Sequence, residues 1–340
     1  MTTVQYPKFK ACAAHVAPVF LDASATVQKA CSLIAEAARN GAQLIAFPES
    51  FVPGFPVWAP VQAPIKNHDF FERLAANSIE VPGPEVSALC EAAREHSITV
   101  SVGISERSPI SVGCLWNCNL LIGSEGTLLN HHRKLVPTFY EKLIWSNGDG
   151  AGLRVNETPI GKIGMLICGE NTNPLARYSL IAQGEQVHIS SYPPVWPTRP
   201  SNEPGRYDLA AAIRTRAGAH SFEGKVFNVV SSGFLNKMTL DVLREIDRES
   251  LETLENSPQA VTMMLGPSGD IISDILCESE GLLYQDIDVS KCVEPKQFHD
   301  IVGYYNRFDV FELKVTRKRL APIEFLDDLS GPNLTGGDVG

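Results

Sequence analysis

Residues 162–171 are Lys-Ile-Gly-Met-Leu-Ile-Cys-Gly-Glu-Asn, an apolar run that ends in a cysteine followed by polar residues. An apolar run of this length predicts a buried β-strand over 162–168. The polar residues begin where that strand is expected to end, at Cys168. Because α/β folds place their sites where strands end in loops, this stretch predicts both an α/β fold and a reactive site.

Strands and helices are predicted to alternate on both sides of this stretch. The upstream prediction consists of strands over 9–15, 42–47 and 98–104, helices over 23–40 and 84–96, and a hairpin of 117–124 with 127–135. The downstream prediction consists of helices over 174–183 and 207–223 and strands over 187–191, 226–232, 261–265, 271–275 and 281–287. No linker divides the halves, so we expect one domain over 1–320.

Two segments depart from this pattern. Residues 240–255 are dense in Asp, Glu and Arg and carry only a thin apolar stripe, which predicts a peripheral helical insertion over about 236–258. Residues 321–340 are expected to form a partly disordered C-terminal tail.

The composition excludes several classes of protein. A formal net charge of -10 disfavours nucleic-acid binding, which depends on Lys and Arg neutralising phosphates. No apolar run approaches about 18 residues and the first ten residues do not resemble a secretory signal, so we expect a cytoplasmic protein that does not enter the membrane. The eight cysteines lack paired spacing, which argues against a zinc knuckle or a disulfide framework.

Three segments place a reactive side chain where a strand is predicted to end: Glu49 in Phe-Pro-Glu-Ser, Lys134 in His-Arg-Lys-Leu-Val-Pro-Thr, and Cys168 in Cys-Gly-Glu-Asn. Each has an ordinary structural interpretation when taken alone. Glu49 fits a helix-capping acid, Lys134 a solvated residue, and Cys168 a small buried side chain.

In this order, however, the three segments resemble the signature of the nitrilase superfamily of carbon–nitrogen hydrolases. Gly266-Pro-Ser-Gly269 and Tyr305-Asn-Arg-Phe-Asp-Val-Phe311 also resemble landmarks of its nitrilase branch, and the resemblance covers roughly 8–315. It implies an α-β-β-α sandwich with a four-layered core, extended to α-β-β-α-α-β-β-α on dimerisation. It also implies a catalytic triad of Glu49, Lys134 and Cys168, with Glu141 as a supporting catalytic residue.

The chemistry of these residue types agrees with that role. A thiol needs a base beside it, which Glu49 supplies, and Lys134 with a backbone N–H after Cys168 would stabilise the developing negative charge. Attack on a nitrile would give a thioimidate and then an acyl-enzyme. The route needs no cofactor and no metal, and the sequence contains no phosphate loop and no HExxH. His132 and Glu170 are interpreted as structural.

The predicted substrate is an organic nitrile, aliphatic or arylaliphatic, converted to carboxylic acid and ammonia. Phe55, Tyr192 and Trp196 are candidates for lining an apolar pocket, and Gly169 departs from the Trp that many nitrilases place after the nucleophile, which enlarges the space beside the sulfur. An amidase, a cyanide-hydrolysing enzyme and a non-catalytic assembly subunit remain alternatives. The resemblance also implies a homodimer that builds into a larger homo-oligomer or spiral, through the insertion and the segment after Tyr304.

Overall fold

The computed structural model describes residues 4–323, so the predicted tail lies outside the described residues from 324 onward. The strands are β1 (Lys8–His15), β2 (Leu44–Ala46), β3 (Thr99–Arg107), β4 (Leu115–Ile122), β5 (Leu128–Arg133), β6 (Asn156–Thr158), β7 (Gly161–Ile167), β8 (Val187–Tyr192), β9 (Phe227–Ser232), β10 (Met263–Leu265) and β11 (Gly281–Asp288). The α-helices are α1 (Ala23–Arg39), α2 (His68–Asn77), α3 (Pro84–Glu95), α4 (Pro174–Ile181), α5 (Leu209–Gly224), α6 (Lys237–Val242), α7 (Arg248–Glu255) and α8 (Val293–Phe298). Short 3₁₀ helices cover Pro64–Lys66, Phe139–Leu143, Gly150–Gly152, Cys168–Thr172 and Val289–Cys292.

The strands form two mixed sheets. A six-stranded sheet has the order β11-β1-β2-β3-β4-β5, and a five-stranded sheet has the order β10-β9-β8-β7-β6. Strands β1, β2 and β3 run parallel, as do β7, β8 and β9, whereas the hairpin partners and the sheet edges run antiparallel.

Alternate side chains of β1 pack into two different apolar layers. In β1, Ala11 and Ala13 face the second sheet, where they join Met165 in one buried cluster. Cys12 and Ala14 point the other way and pack in a cluster with α1 and α3. Because successive strand residues face opposite sides of a sheet, this division gives an α-β-β-α sandwich, and the predicted fold class is confirmed.

The predicted elements differ from the structure in several places. Residues 271–275 form no strand, because Ile271 makes only an isolated bridge to Leu265. Helix α2 was not predicted, although Phe70 and Leu74 give it a buried face, and neither were β6 and α8. The helical insertion predicted over about 236–258 contains two short helices, α6 and α7.

The apolar stripe of this insertion packs into the body of the molecule. Leu243 and Leu254 are fully buried, and Ile246 is nearly so. All three belong to the same hydrophobic cluster as Trp58 and Cys168. Although the segment is rich in charged residues, its apolar side chains therefore belong to the core that contains Cys168.

The strand ends gather at one side of the sandwich. Strands β2 and β5 of the first sheet are followed by Glu49 and Lys134, and β7 of the second sheet is followed by Cys168. This arrangement follows the rule that α/β folds build sites at the carboxyl ends of strands. Within residues 4–323, no helix is long and apolar enough to cross a lipid bilayer.

Candidate active site

Lys134 is the buried centre of the candidate site. Its Nζ atom donates to Oε1 of Glu49 at 2.7 Å and to both carboxylate oxygens of Glu141, at 2.8 and 2.6 Å. Burial alone would lower the pKa of Lys134, but the charges of Glu141 and Glu49 outweigh it and raise the pKa above its ordinary value. Lys134 is therefore a permanent cation held between two carboxylates.

The two glutamates differ in how their oxygens are used. Oε1 of Glu49 accepts from Lys134 and from the Nδ2 of Asn117, also at 2.7 Å, while its buried Oε2 has no hydrogen-bond partner among residues 4–323. Both oxygens of Glu141 contact Lys134, and Oε2 also accepts the backbone N–H of Thr138 at 2.9 Å. Glu49 therefore keeps one open oxygen, whereas Glu141 is fully engaged.

Cys168 lies beside these carboxylates. Its Sγ, one carboxylate oxygen of Glu49 and one of Glu141 all lie within 4.8 Å of one another. Burial, together with the charge of Glu49, raises the pKa of the Cys168 thiol well above its usual value. The resting thiol is consequently protonated and needs a base to become a nucleophile.

Burial and the neighbouring charge of Glu49 also shift the pKa of Glu141. They outweigh the attraction of Lys134 and raise the pKa of Glu141 to about 7. Glu141 therefore gains or loses its proton near neutral pH. Its ion pair with Lys134 is weaker when it is protonated.

The turn that carries Cys168 has a left-handed backbone at the cysteine itself, with φ 48°. Glu170 holds this turn: its Oε2 accepts the N–H of Ile167 at 2.8 Å, and its Oε1 accepts the N–H of Leu135 at 2.6 Å. The Nε2 of His132 lies 2.9 Å from the same carboxylate. These contacts support the structural interpretation of Glu170 and His132.

A second buried network lies behind the turn. Nδ2 of Asn171 donates to the carbonyl oxygen of Cys168 at 3.1 Å, and its Oδ1 lies 2.9 Å from the Nε2 of His188. His188 and His220 each contact one oxygen of Glu185 at 2.7 Å. The turn that carries Cys168 is thereby tied to polar groups in the core of the second sheet.

The predicted pocket residues belong to one buried cluster. Phe55, Tyr192 and Trp196 lie in the same hydrophobic cluster as Cys168. The ring of Trp196 stacks on Tyr140 with centroids 4.3 Å apart and packs against Phe55 at 6.0 Å. An aromatic group of side chains is therefore part of the core that contains Cys168.

Gly169 lies between the nucleophile and Thr138. A Cβ built on Gly169 would come within 2.7 Å of the Thr138 Oγ1, so even alanine would require an adjustment. The absence of a side chain at 169 therefore permits close approach of Thr138, and the expectation of extra space beside the sulfur stays a prediction.

A cavity of about 700 Å³ adjoins this aromatic cluster. Tyr140, which borders the cavity, also lies close enough to Cys168 and Glu141 for their charges to raise the pKa of its phenol. Asp247, Ser250 and Thr253 also line this cavity, so α7 and its first cap residue border it.

Comparison with known proteins agrees with this geometry. The family model described as carbon-nitrogen hydrolase matches residues 3–297. The chain belongs to the carbon–nitrogen hydrolase family. The resemblance predicted from the sequence is therefore confirmed.

Curated relatives of this carbon–nitrogen hydrolase carry nitrilase names. The chain is 34% identical to a nitrilase of Paraburkholderia phymatum over 316 residues, covering 92% of this chain and 88% of that protein. It is 35% identical to an aliphatic nitrilase of Rhodococcus rhodochrous over 317 residues, covering 93% and 84%. An arylacetonitrilase of Fusarium vanettenii is 33% identical over 314 residues, covering 89% and 91%.

Solved structures of the family share the fold. A carbon-nitrogen hydrolase from Helicobacter pylori G27 superposes with a TM-score of 0.69 at 17% identity, covering 89% of this chain and 97% of that one. Nit3 of Saccharomyces cerevisiae, a member of branch 10 of the nitrilase superfamily, gives 0.68 at 18% identity, covering 90% and 99%. At these identities the likeness concerns the fold alone.

Among residues 4–323, three groups of side chains have metal-ligating atoms close together: Glu49, Glu141 and Cys168; Glu106, Cys118 and His131; Glu185, His188 and His220. The first two already contain a basic side chain, since Lys134 bonds both glutamates of the first and Arg133 bonds Glu106 of the second. In the third, both oxygens of Glu185 contact histidine nitrogens. The expectation that no metal and no cofactor take part stays a prediction.

Several residues of the site were not predicted from the sequence. Asn117 holds Glu49, Tyr140 borders the cavity, and Asn171 holds the nucleophile turn. Asn171 follows Cys168 by only three residues, so its proximity was a usable signal. Arg216 lies on α5, far along the chain, and no local pattern marks it.

Proposed function

We propose that this carbon–nitrogen hydrolase is a nitrilase that converts organic nitriles to carboxylic acids and ammonia, with Cys168 as nucleophile. The observation that carries the proposal is the unpartnered Oε2 of the buried Glu49 carboxylate in a site where Cys168 is a protonated thiol. A buried oxygen without a hydrogen-bond partner is costly unless a proton or a substrate occupies it during the reaction. The nitrilase names of relatives that cover most of the chain support the same function.

In the proposed reaction, Glu49 accepts the proton of Cys168 as the sulfur bonds to the nitrile carbon. Glu49 passes that proton to the nitrile nitrogen, which gives a covalent thioimidate and restores the carboxylate. Water then adds to that carbon, the C–N bond breaks with release of ammonia, and a thioester acyl-enzyme remains. A second water, activated by Glu49, releases the carboxylic acid and restores the thiol.

Lys134 and Glu141 have supporting roles in this proposal. The ammonium of Lys134 stabilises negative charge on the substrate as the sulfur attacks, because it lies in a buried site from which water is largely excluded. Glu141 holds Lys134 in place through two short contacts and is itself fixed by the N–H of Thr138. We therefore assign Glu141 to positioning the lysine.

The proposed substrates are aliphatic or arylaliphatic nitriles. Phe55, Tyr192 and Trp196, with Tyr140, share one buried aromatic cluster with Cys168, and such apolar surface suits an organic side chain better than free cyanide. Relatives named as an aliphatic nitrilase and as arylacetonitrilases support both classes.

The proposal is tested by measuring ammonia release from a panel of aliphatic, aromatic and arylacetonitriles. Cys168→Ala and Cys168→Ser should abolish release without changing the thermal unfolding temperature by more than a few degrees. Cys90→Ala, at a partly buried cysteine on α3, is the matched control and should retain activity. Ammonia release that survives both substitutions at 168 would overturn the mechanism.

Paired nitrile and amide substrates with the same side chain decide between a nitrilase and an amidase. We expect a higher kcat/KM for the nitrile and acid as the main product. Faster turnover of the amide would assign the enzyme to the amidase alternative.

We also propose that the protein forms a homodimer that builds into a larger homo-oligomer. The segment after Tyr304 supports this, because Tyr304, Tyr305, Phe308 and Phe311 are each at least 60% exposed. Such a density of exposed aromatic residues is typical of surfaces that contact another chain. Light scattering at micromolar concentration tests the proposal, and a monomer would contradict it.

A further inference from the structure

Arg216 is a cation next to the nucleophile turn that the mechanism does not use. It lies on α5 and is partly buried. Its Nε donates to the Oγ1 of Thr172 at 2.7 Å, and Thr172 is the last residue of the 3₁₀ helix that begins at Cys168. Its Nη2 donates to the hydroxyl of Tyr207, also at 2.7 Å.

The charge of Arg216 has no counter-ion in the structure. Both hydrogen-bond partners are neutral hydroxyls, and in the part of the chain that the structure describes no carboxylate pairs with it. A guanidinium has five N–H groups, of which these two bonds use two. A partly buried cation with free donors and no anionic partner is a favourable place for an anionic ligand group.

The position of Arg216 relates it to the reacting atoms. Thr172 follows Cys168 on one short turn, and Tyr192 ends the strand next to the one that carries Cys168. The charge of Arg216 lowers the pKa of Cys168 and of Tyr192 against the larger effect of burial. The buried hydroxyl of Tyr192 also has no hydrogen-bond partner within the described residues, so it offers a neutral donor near the cation.

A surface depression borders the residue that accepts from the Nη2 of Arg216. Tyr207 lines an open hollow of about 680 Å³ together with Phe139 and Thr198. Phe139 and Thr198 also line the cavity that borders Tyr140, so the hollow and the cavity lie side by side. The hydroxyl partner of Arg216 therefore lies next to open space.

We propose that Arg216, with the hydroxyl of Tyr192, forms a carboxylate subsite beside Cys168, and that the favoured substrates are nitriles carrying a carboxylate a few carbons from the cyano group. This inference rests on the proposed nitrilase function and refines its substrate class. The apolar residues around the sulfur would hold the connecting carbons, and Arg216 would bind the far end. Guanidinium recognises a carboxylate through paired N–H donors, which a neutral end group does not reproduce.

The test compares the mononitrile of glutaric acid with its neutral methyl ester, using ammonia release to obtain kcat/KM for each. A charge-assisted contact of this kind corresponds to a preference of about tenfold or more for the acid in the wild-type enzyme. Arg216→Gln should lower the ratio of the two kcat/KM values toward one. Arg216→Lys, which retains the charge but not the paired donors, should recover part of the ratio.

Arg214→Gln is the matched control, because Arg214 lies two residues away on the same helix and is exposed. We expect it to leave the ratio at the wild-type value. A loss of both activities by the same factor in Arg216→Gln would overturn the inference, since the residue would then act through the nucleophile turn. Wild-type enzyme that hydrolyses the ester without any preference for the acid would also overturn it and leave the proposed nitrilase function standing. Failure to hydrolyse either nitrile would instead reject the proposed function itself.

Discussion

The rings of His188 and His220 stack with their centroids 3.7 Å apart, and each contacts a different oxygen of the same buried carboxylate, Glu185. Burial alone would raise the pKa of Glu185, but the two histidines lower it to about 2. Burial, with the charge of His188, lowers the pKa of His220 from 6.5 to about 4. Both groups thus bind protons less readily in the folded protein than in the unfolded chain.

These shifts predict that acid destabilises the fold in two overlapping ranges. The unfolded chain takes up a proton at His220 below about pH 6.5 while the folded protein resists until about pH 4. Glu185 behaves in the same way between its ordinary value of 4.5 and about 2. Because the unfolded state binds more protons in both ranges, the free energy of unfolding should fall as the pH falls. Urea unfolding measured from pH 7 to pH 4 checks the first range.

Replacing the shared carboxylate should remove part of this stability at neutral pH. Glu185→Gln leaves two buried histidines without their anion, and we expect a loss of about 3 kcal/mol or more. Glu157→Gln, at a side chain that is 81% exposed, is the surface control and should change stability little. Equal unfolding free energies for the two variants would contradict the proposed importance of the network.

The open oxygen of Glu49 leads to a prediction about rate. Glu49→Gln can keep an acceptor toward Lys134 and Asn117, but an amide does not take the proton of Cys168. We expect kcat to fall by about a hundredfold or more, with little change in thermal stability. Steady-state kinetics with a good nitrile substrate measures it, and a loss of less than about tenfold would assign the base elsewhere.

The raised pKa of Glu141 leads to a prediction about how kcat depends on pH in the acidic range. Since its pKa is raised to about 7, it becomes protonated below that pH and weakens its ion pair with Lys134. The kcat of the wild-type enzyme should therefore decrease as the pH falls through about 7. In Glu141→Gln, kcat should be low at every pH and this decrease should disappear. If kcat of Glu141→Gln still decreased with falling pH as in the wild-type enzyme, the group that titrates would be a different residue.

Gly169 and Thr138 should behave as a coupled pair. Gly169→Ala brings a Cβ within 2.7 Å of the Thr138 Oγ1 and displaces the turn beside Cys168. We expect kcat/KM to fall by about tenfold to a hundredfold, because small displacements of a nucleophile are costly. The double variant with Thr138→Ala should recover part of the loss, and a double-mutant cycle measures the coupling. Strictly additive effects would contradict the contact.

The helices next to the cavity should contribute to global stability. Leu254 of α7 is fully buried, so Leu254→Ala should lower the free energy of unfolding by about 2–5 kcal/mol. Met238→Ala, at a residue of α6 that is 66% exposed, should change it by about 0.5 kcal/mol or less. Chemical denaturation of both variants makes the comparison, and similar values would mean that the segment is a dispensable insertion.

The parts of the fold that the sequence predicted are those with strong local patterns. The run 163–168 contains no polar side chain other than the thiol, and the helix over 23–40 has regular apolar spacing, so β7 and α1 lie close to the predicted bounds. The segment 271–275 has similar apolar residues but pairs only at single bridges, which depends on distant neighbours. Helix α2 was missed because its buried face consists of only two residues.

The residues of the candidate site likewise fall into two groups, those predicted from local sequence and those found only in the structure. Glu49, Lys134 and Cys168 follow predicted strands within recognisable segments, and the structure brings all three together with Glu141. Asn117 and Arg216 approach the site from elements whose sequence carries no chemical motif. Their positions follow from the pairing of strands and from the packing of α5, which only the folded chain determines.

The left-handed backbone at Cys168 has a consequence for how such an enzyme loses its activity. At φ 48° a residue with a Cβ is disfavoured relative to glycine by about 1 kcal/mol. Between two inactive variants that differ little in packing, Cys168→Gly should therefore unfold at a higher temperature than Cys168→Ala. The backbone at position 168 thus suits glycine better than any residue with a Cβ, and a thiol is carried there at a conformational cost that the rest of the fold has to offset.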